Sequence, residues 1–598
     1  MSKVFKVYLY NIFLINLILC NTIHSQSIFA DRTSFYKINH EYGNGTSGGG
    51  VSFSDFDGDG LDDLTMATSK GEPIYFFKNT GSGIQKLNLL PNLKAEVKHI
   101  LWVDIDNDGD KDLYVALADD YNRLYINDGK LNLSDQTSKL GLDIDNYTTY
   151  GACFGDYNRD GWLDLFYGLR RIEKDGKPNI SKLFLNTGKG FKDVTVESGT
   201  EDGGKTPFCS SFIDYNNDKW PDIYTAHDRL RGNTLLRNNK NGTFLDVSKS
   251  TGTDLKMDGM SVSTGDCNND GFFDIYVSNS EAGNALFVNK GGEKFENQAG
   301  DKGVGFYSVA WGTNFLDGDN DGDEDVYVSG MLVGNAVVNS TYYINQFPDA
   351  KFIKGPKIPS DTVSSFNNAI GDINNDGYPD IAVMNVGPFP SFIFQNTGGI
   401  NNFLKLKLKG VVSNRDAVGS LITMYSEGKK QYRYTQCGVG FMGQNSDTEL
   451  FGLGKSIKAD SLTVLWPSGH IDRLYNLFAN KRYLLTEGST TNNIIKVDED
   501  VKLSTSNTEN IENSVKTDFF TVYPNPNNTN LLFIDNSYKH CIKSLLVMNM
   551  SGQYSKFQKF ENENDLSVDI ENLASGMYIL KINACDGRHS YLKFVVNK

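Results

Sequence analysis

A short acidic loop recurs along the first two thirds of this 598-residue chain and constrains its fold more than any other feature. The loop reads Asp-x-Asp/Asn-x-Asp-Gly-x-x-Asp and returns at intervals of about 49–58 residues, a spacing typical of one four-stranded supersecondary unit. We number the copies loops one to seven. Their first residues are Asp55, Asp104, Asp156, Asp214, Asp266, Asp317 and Asp372.

Apolar segments surround each loop in a fixed order. In the second copy, residues 100–103 enter the loop, residues 113–116 leave it, and a third segment, 124–127, ends in asparagine. Segments that are apolar on both faces fit a sheet stacked between two other sheets. The chain is therefore predicted to be all-β, with a seven-bladed β-propeller over residues 27–401. Residues 29–33 match a fourth strand without a preceding loop, so we expect them to complete the last blade and close the ring.

The loop composition predicts a calcium site in each copy. Ca²⁺ takes six to eight oxygen ligands at flexible angles, and carboxylates at positions 1, 3 and 5 of a tight loop point toward one centre. Position 6 needs a residue that tolerates positive φ, usually glycine, and the aspartate at position 9 completes the shell. Such runs can also be simple Asx turns, but repetition in phase with strands favours calcium. The candidate ligands are Asp55, Asp57, Asp59 and Asp63; Asp104, Asp106, Asp108 and Asp112; Asp156, Asn158, Asp160 and Asp164; Asp214, Asn216, Asp218 and Asp222; Asp266, Asn268, Asp270 and Asp274; Asp317, Asp319, Asp321 and Asp325; and Asp372, Asn374, Asp376 and Asp380.

The loops are not equivalent. Loops one, two and six offer four carboxylates, whereas the others offer three and an asparagine. Loop four has Lys219 at position 6, which costs about 1 kcal/mol of backbone strain and brings a positive charge to the site. We therefore predict up to seven Ca²⁺ ions, with loop four the weakest site.

Two family resemblances follow from these motifs. The repeated loop resembles FG-GAP/VCBS-type repeats, whose calcium loops lie between the strands of propeller blades. Residues 402–488 carry the blocks 413–419, 451–454 and 462–469, and this segment resembles the ASPIC/UnbV domain of cartilage-acidic-protein-like chains. That resemblance implies a second all-β module. Within it, Arg415 and Asp416 fit either ligand contacts or a buried pair, and Trp466 fits either the core or a sugar platform.

The two ends of the chain indicate secretion. Residues 1–25 read as a signal peptide, with an apolar stretch after Lys3 and Lys6, and no later segment is long and apolar enough to cross a membrane. Residues 489–516 read as a linker. Residues 517–598 resemble the C-terminal sorting domain of the type IX secretion system, a small β-sandwich, which implies passage through that machinery to the medium or the outer cell surface.

Cysteine usage leaves the pairing open. Cys153 with Cys209, and Cys541 with Cys585, could form disulfides, but free buried thiols fit these widely spaced positions equally well.

Two functions remain open. The formal net charge of −16 argues against nucleic acid as a partner, and no catalytic motif is present. The glycine patterns at 43–48 and 438–443 are predicted to be turns rather than dinucleotide sites. We therefore expect a non-enzymatic calcium-binding surface module that binds a glycan or an extracellular protein. The alternative is a polysaccharide lyase, which a cluster of Arg, Lys, Tyr and His at one end of the propeller channel would favour.

Overall fold

The computed structural model describes most of the chain in two compact units, residues 1–506 and 507–598, each treated by itself below. In the first unit it describes residues 27–43, 45–118, 120–143, 146–170, 178–335, 337–492 and 496–498. In the second it describes residues 521–523, 531–535, 542–549, 554–559, 567–571, 573–584 and 589–596. The predicted signal peptide, most of the predicted linker, Cys541 and Cys585 lie outside these ranges.

The described residues up to Asn396 form seven four-stranded antiparallel sheets, numbered here in chain order. The strands are β1 (Phe29–Asp31); in sheet one β2 (Val51–Ser54), β3 (Asp63–Met66), β4 (Tyr75–Asn79) and β5 (Ile84–Leu87); in sheet two β6 (Glu96–Val103), β7 (Asp112–Ala118), β8 (Arg123–Ile126) and β9 (Ser134–Asp135); in sheet three β10 (Thr148–Gly155), β11 (Asp164–Arg170), β12 (Ile180–Asn186) and β13 (Phe191–Asp193); in sheet four β14 (Pro207–Ile213), β15 (Asp222–His227), β17 (Thr234–Asn238) and β18 (Phe244–Asp246), with β16 (Arg231–Gly232) and β19 (Lys256–Met257) as a side ribbon; in sheet five β20 (Val262–Gly265), β21 (Asp274–Val277), β22 (Ala285–Lys290) and β23 (Lys294–Asn297); in sheet six β24 (Ala310–Leu316), β25 (Asp325–Gly330), β26 (Thr341–Gln346) and β27 (Lys351–Lys354); and in sheet seven β28 (Ser365–Gly371), β29 (Asp380–Asn385) and β30 (Phe392–Asn396), completed by β1. Two helical turns, Thr195–Ser198 and Ser248–Thr251, follow the last strands of sheets three and four.

The sheets form a closed ring, the β-propeller that the sequence predicts. The first strand of each sheet packs against the first strand of the next, and β28 of sheet seven packs against β2 of sheet one. The strand β1 pairs antiparallel with β30, with Phe29 opposite Asn396, so the beginning of the chain completes the last sheet as expected. Phe29 is 2% exposed and meets the Tyr342 ring edge-on at 5.2 Å. Burial of such an aromatic side chain holds the closing strand in place.

An asparagine at the end of the third strand ties six of the seven sheets to the preceding sheet. Asn186 Nδ2 donates to the carbonyl of Leu163 in its own sheet and to that of Ile105 in the preceding sheet, at 3.2 and 3.1 Å. Asn238, Asn289, Asn345 and Asn396 repeat this pair of bonds. The recurrent asparagine that is visible in the sequence is therefore a bridge between sheets.

Residues 402–492 and 496–498, here called the second module, form two further sheets around a core of their own. Trp466 is 1% exposed and its indole nitrogen donates to Asp472 at 2.8 Å, so it belongs to the core and not to a sugar platform. The strands are β31 (Asn402–Lys409), β32 (Leu421–Ser426), β33 (Lys429–Tyr434), β34 (Gly443–Gln444), β35 (Thr448–Gly454), β36 (Lys458–Leu465), β37 (Ile471–Phe478), β38 (Lys481–Thr486) and β39 (Lys496–Asp498), with a 3-10 turn at Ser489–Asn492. One sheet has the order β35-β31-β38-β39 and the other the order β33-β32-β36-β37.

Residues 436–446 of the second module run inside the propeller ring, and we call them the channel segment. The short strand β34 within it pairs parallel with β2, which makes it a fifth strand of sheet one. Bridges join Cys437 to Phe154 and Gly440 to Val262. Hydrogen bonds or bridges join the segment to the first strand of every sheet of the described ring, at Ser52, Trp102, Phe154, Ser211, Val262, Asn314 and Asn367. The second module is therefore anchored through the centre of the ring.

Close backbone approach explains the glycines of the channel segment. Gly438 has a φ of +89°, and a Cβ atom there would lie 2.4 Å from the carbonyl oxygen of Ala152. The pattern at 438–443, which the sequence predicts to be a turn, lets this segment pass between strands that a side chain would push apart.

The second unit contains two antiparallel sheets among its described residues, with orders β40-β41-β44 and β43-β42-β45-β46. Its strands are β40 (Thr521–Tyr523), β41 (Leu531–Asp535), β42 (Ile542–Asn549), β43 (Tyr554–Lys559), β44 (Ser567–Asp569), β45 (Gly576–Ala584) and β46 (His589–Val596). Across the described parts of both units, no helix has the length and apolar character needed to span a bilayer.

Cys153, Cys209, Cys267 and Cys437 are buried free thiols, so Cys153 and Cys209 do not pair.

Candidate metal centre

All seven acidic loops connect the first and second strands of a sheet, and they share one backbone shape. The residue at position 6 has positive φ in every loop, from +73° at Lys219 to +106° at Gly109. Its backbone N–H donates to Oδ2 of the first aspartate at 2.7–3.0 Å in all seven copies. Position 6 is therefore left-handed as predicted, including at the lysine of loop four.

The first aspartate keeps an oxygen available in two loops. Asp55 Oδ1 in loop one and Asp104 Oδ1 in loop two are buried without a hydrogen-bond partner in the described structure. In loops three to seven the same oxygen accepts the N–H of position 5 at 2.9–3.1 Å. A buried carboxylate oxygen without a donor is costly unless a cation faces it, so loops one and two fit a metal ion.

Three loops bring three carboxylates together. The converging oxygens, all within 4.8 Å of one another, come from Asp55, Asp57 and Asp63, from Asp104, Asp106 and Asp108, and from Asp317, Asp319 and Asp321. These are loops one, two and six, the copies with four carboxylates in the sequence. Asp59, Asp112 and Asp325 lie outside these groups. The described clusters could therefore hold a metal ion through oxygen ligands alone, the donor set of a hard cation.

In the loops with an asparagine at position 3, the amide faces a carboxylate. Asn158, Asn268 and Asn374 each donate Nδ2 to the aspartate two residues later, at 2.8, 3.0 and 2.8 Å. In all four of these loops the asparagine Oδ1 accepts the backbone N–H of position 5, as Asn216 does from Asp218 at 3.0 Å. The asparagine oxygen therefore has the same backbone partner in each of them.

The aspartate at position 9 accepts backbone hydrogen bonds that hold the loop and the third strand together, in addition to being a candidate ligand. Asp63 Oδ1 accepts the N–H of Asn79 at 2.7 Å, and its Oδ2 accepts the N–H of Phe56 at 3.1 Å. The Oδ1 bond recurs in all seven loops. The sequence predicts this residue as a ligand only, and the asparagine that ends the third strand is its structural partner.

Burial and mutual repulsion raise the pKa values of several of the loop carboxyl groups. Burial raises the pKa of Asp63 to about 8, and the nearby Asp55 and Asp59 add to the shift. Burial likewise raises the pKa of Asp112 to about 8 and that of Asp266 to about 8. Buried like charges of this kind disfavour ionisation until a cation neutralises them. The electrostatics therefore agree with the geometry in favouring a bound cation.

Lysines that the sequence analysis missed lie against three loops. Lys78 Nζ contacts Asp57 and lies 3.2 Å from Asp59 Oδ2 in loop one. Lys240 Nζ lies 3.2 Å from Asp218 in loop four. Lys405 Nζ of the second module lies 2.7 Å from Asp372 Oδ2 in loop seven. Lys78 directly precedes the asparagine that ends a third strand, and Lys240 follows such an asparagine by two residues; this proximity is the sequence signal that could have revealed them.

The second module docks on the loop face through loop two. Asp416 Oδ2 accepts a hydrogen bond from the N–H of Asp104 at 2.9 Å. Asp416 Oδ1 forms an ion pair with Lys111 Nζ at 2.7 Å. The Arg415 N–H donates to Asn107 Oδ1 at 2.9 Å. Arg415 and Asp416, for which the sequence leaves two roles open, are therefore docking residues between the two modules.

Asparagines at position 4 link four pairs of successive loops. Position 4 has positive φ in every loop, and where it is one of these asparagines its amide donates to the carbonyl of position 6 in the next loop, for example Asn107 to Gly161 at 2.9 Å. Asn217, Asn269 and Asn320 repeat this bond at 2.8–3.1 Å. Between loops seven and one, residues of the second module contact both loops instead. Lys405 donates to Asn375 Oδ1 in loop seven, and Arg482 donates to the Gly60 carbonyl in loop one.

Comparison with known proteins agrees with this architecture. Residues 55–115, 104–167 and 214–277 match the FG-GAP-like repeat model, which covers loops one to five. Residues 410–492 match the ASPIC and UnbV family. This match lies within the second module, the one that docks on the loops and fills the channel, so we call the whole second module the ASPIC and UnbV module. Residues 521–597 match the secretion system C-terminal sorting domain, so the protein is directed by type IX secretion to the cell surface or the extracellular space.

Known proteins resemble a large part of this chain. The chain is similar to cartilage acidic protein 1 of Xenopus tropicalis, with 26% identity over 251 residues that cover 40% of this chain and 38% of that protein. It is also similar to cartilage acidic protein 1 of Mus musculus, with 23% identity over 458 residues, 73% of this chain and 63% of that protein. The chain spans less than two thirds of the length of these relatives.

Among solved structures, a crystal structure of BBS1N in complex with ARL6DN, soaked with lead, aligns with 62% of this chain and 98% of that one. Its sequence identity is 12% and the TM-score is 0.40.

Proposed function

We propose that this protein is a secreted calcium-binding β-propeller that acts without catalysis, as a module for binding a glycan or an extracellular protein. The observation that carries the calcium assignment is the convergence of carboxylates in loops one, two and six, with the buried Asp55 Oδ1 and Asp104 Oδ1 left without donors. An all-oxygen donor set in a flexible loop suits Ca²⁺ better than metals that prefer nitrogen or sulfur.

Calcium in this account has a structural role at the joint between two modules. The loops it would occupy are the surface on which the ASPIC and UnbV module docks, through Asp416 at loop two and Arg482 at loop one. A cation that neutralises the loop carboxylates stabilises the shape to which the module binds. The joint thereby provides a rigid surface for a ligand.

The lyase alternative stays a prediction. At the end of the channel opposite the loops, Lys98 lies near Tyr42 and Tyr150, and Arg170 stacks on Phe208 at 4.5 Å. This is the kind of cluster that would favour an enzyme. However, Lys98 has a fully buried side chain, paired with Glu96 at 2.6 Å, and Tyr42 and Tyr150 are also buried. We therefore propose binding, since a proton acceptor must reach its substrate.

Two measurements on the same purified full-length protein test the proposal. Native mass spectrometry against a calcium titration counts bound ions, and a glycan array in calcium excess reports ligands. We expect several ions and at least one glycan class. A uronate absorbance assay run in parallel addresses the alternative. Product formation that is lost in Lys98→Met would replace the binding account, and absence of calcium binding would refute the metal assignment.

A further inference from the structure

A cleft of about 430 Å³ opens between loops one and two on one side and the ASPIC and UnbV module on the other. Its volume lies in the range of small-molecule sites, roughly 300–1,000 Å³. One wall is built from loop residues such as Asp57, Asp59 and Asp110, and the other from module residues such as Lys409 and Arg415. Neither module forms the cleft alone.

We propose that this cleft binds the anionic sugar units of an acidic polysaccharide, and that calcium in loop one completes the site. This inference rests on the proposed function and names its ligand class. It goes beyond calcium binding because it assigns the ligand to particular side chains of both modules.

The charge of the cleft supports an anion only when metal is present. Its lining contains five carboxylates, Asp55, Asp57, Asp59, Asp110 and Asp416, and five cations, Lys111, Lys407, Lys409, Arg415 and Arg482. The two sets balance. One divalent ion in loop one shifts the net charge of the lining to about +2, which attracts carboxylate or sulfate groups.

Polar atoms without partners lie on both walls. Arg415 Nε and Asp110 Oδ1 are buried and have no hydrogen-bond partner in the described structure. Lys409 is exposed, and its ammonium group has no hydrogen-bond or ion-pair partner among the described residues. Arg415 Nε and the Lys409 ammonium group are donors suited to an anion, and Asp110 Oδ1 is an acceptor suited to a hydroxyl group. Unsatisfied groups on both walls of a cleft point to a ligand that bridges them.

The alternation of signs favours a saccharide over an acidic peptide. Sugar hydroxyl groups can donate to the loop carboxylates while the sugar carboxylate meets Lys409 and Arg415. A peptide rich in Asp or Glu would bring its own carboxylates against five others and would offer few hydroxyl groups to pair with them. A uronate oligomer uses both kinds of lining group.

The test is calorimetric titration of the calcium-loaded full chain with a galacturonate trisaccharide. Lys409→Glu removes an exposed cation from the cleft, and Lys430→Glu makes the same charge change at an exposed position outside its lining. We expect Lys409→Glu to weaken binding at least about tenfold, Lys430→Glu to leave it unchanged, and metal-stripped protein not to bind. The melting temperatures of both variants should equal that of the unmodified protein, which excludes misfolding as the cause.

Three other results would each refute a different part of the proposal. Equal binding by Lys409→Glu and the unmodified protein would refute the cleft while leaving the proposed function intact. A protein that binds calcium but no acidic or neutral oligosaccharide would refute the cleft and the glycan part of the proposed function. Equal affinity for a polyglutamate peptide of matched charge would overturn the choice of a saccharide.

Discussion

Lys405 Nζ lies 2.7 Å from Asp372 Oδ2, and both side chains are buried. The lysine comes from the ASPIC and UnbV module and the aspartate is the first residue of loop seven. The same ammonium group lies 2.7 Å from Asn375 Oδ1. A cation from one module thus lies against an acidic loop of the other, where it would compete electrostatically with a divalent ion.

Replacing that lysine should strengthen metal binding at loop seven. In Lys405→Met the repulsion between the ammonium group and a divalent ion is gone, so we expect the calcium affinity of this loop to rise at least about tenfold. Native mass spectrometry at limiting calcium should show one more bound ion than the unmodified protein. Lys458→Met, which removes a surface lysine paired with Asp460, serves as the control. An unchanged ion count would show that Lys405 does not affect the loop.

Loop four should gain from a glycine at position 6. Lys219 has a φ of +73°, a conformation that costs a non-glycine residue about 1 kcal/mol. In Lys219→Gly this strain and the nearby charge disappear, so the loop should bind calcium more tightly. Trp220 directly follows and can sensitise terbium luminescence in a Trp162→Phe background, where the tryptophan of loop three no longer contributes. Identical terbium affinities in the lysine and glycine forms would contradict the strain argument.

The channel segment should contribute to the stability of the whole first unit. Gln444 is 3% exposed, its Oε1 accepts from Ser52 and from the Trp102 N–H, and its Nε2 donates to the Trp102 carbonyl at 2.7 Å. Gln444→Ala leaves those groups unpaired, so we expect a loss of about 1–3 kcal/mol in the free energy of unfolding. Urea titration measures it, with the exposed Gln85→Ala as the control. Equal losses in both variants would mean that the segment is not an anchor.

The calcium-free protein should lose stability as the pH rises. Burial raises the pKa of Asp63 and Asp112 to about 8 in the folded chain, so the folded state holds more protons than the unfolded state above pH ~4. Stability therefore falls between pH ~4 and ~8 when metal is absent. Bound calcium should remove most of this dependence, because it neutralises the ionised loops. Urea midpoints of metal-stripped protein at pH ~5.5 and ~8 measure the effect, and a higher midpoint at pH ~8 would contradict it.

The repeat could be predicted because its chemistry is local. A glycine at position 6 and an aspartate at position 9 specify one turn between two strands wherever they occur, as at Gly60 and Asp63. The closing strand at Phe29 was visible for the same reason, since it matches the fourth strand of each sheet. Convergence of the carboxylates in loops one, two and six also followed the composition of each loop.

The relation between the two modules could not be predicted, because it depends on contacts between residues distant in sequence. Gln444 meets Trp102 inside the ring, and Asp416 meets Asp104 on the loop face. Nothing near Gly438 in the sequence indicates that its backbone lies against Ala152. Arg415 likewise makes contacts within its own module and with Asn107 of the propeller, and the sequence does not show the second contact.

The most direct test of the account is the melting temperature of the full chain with and without calcium. We expect metal-stripped protein at neutral pH to melt clearly below the calcium-loaded form, and re-addition of Ca²⁺, but not of monovalent salt at equal ionic strength, to restore the higher value. Equal melting temperatures in the two states would contradict the claim that calcium in the acidic loops stabilises the ring and its docked module.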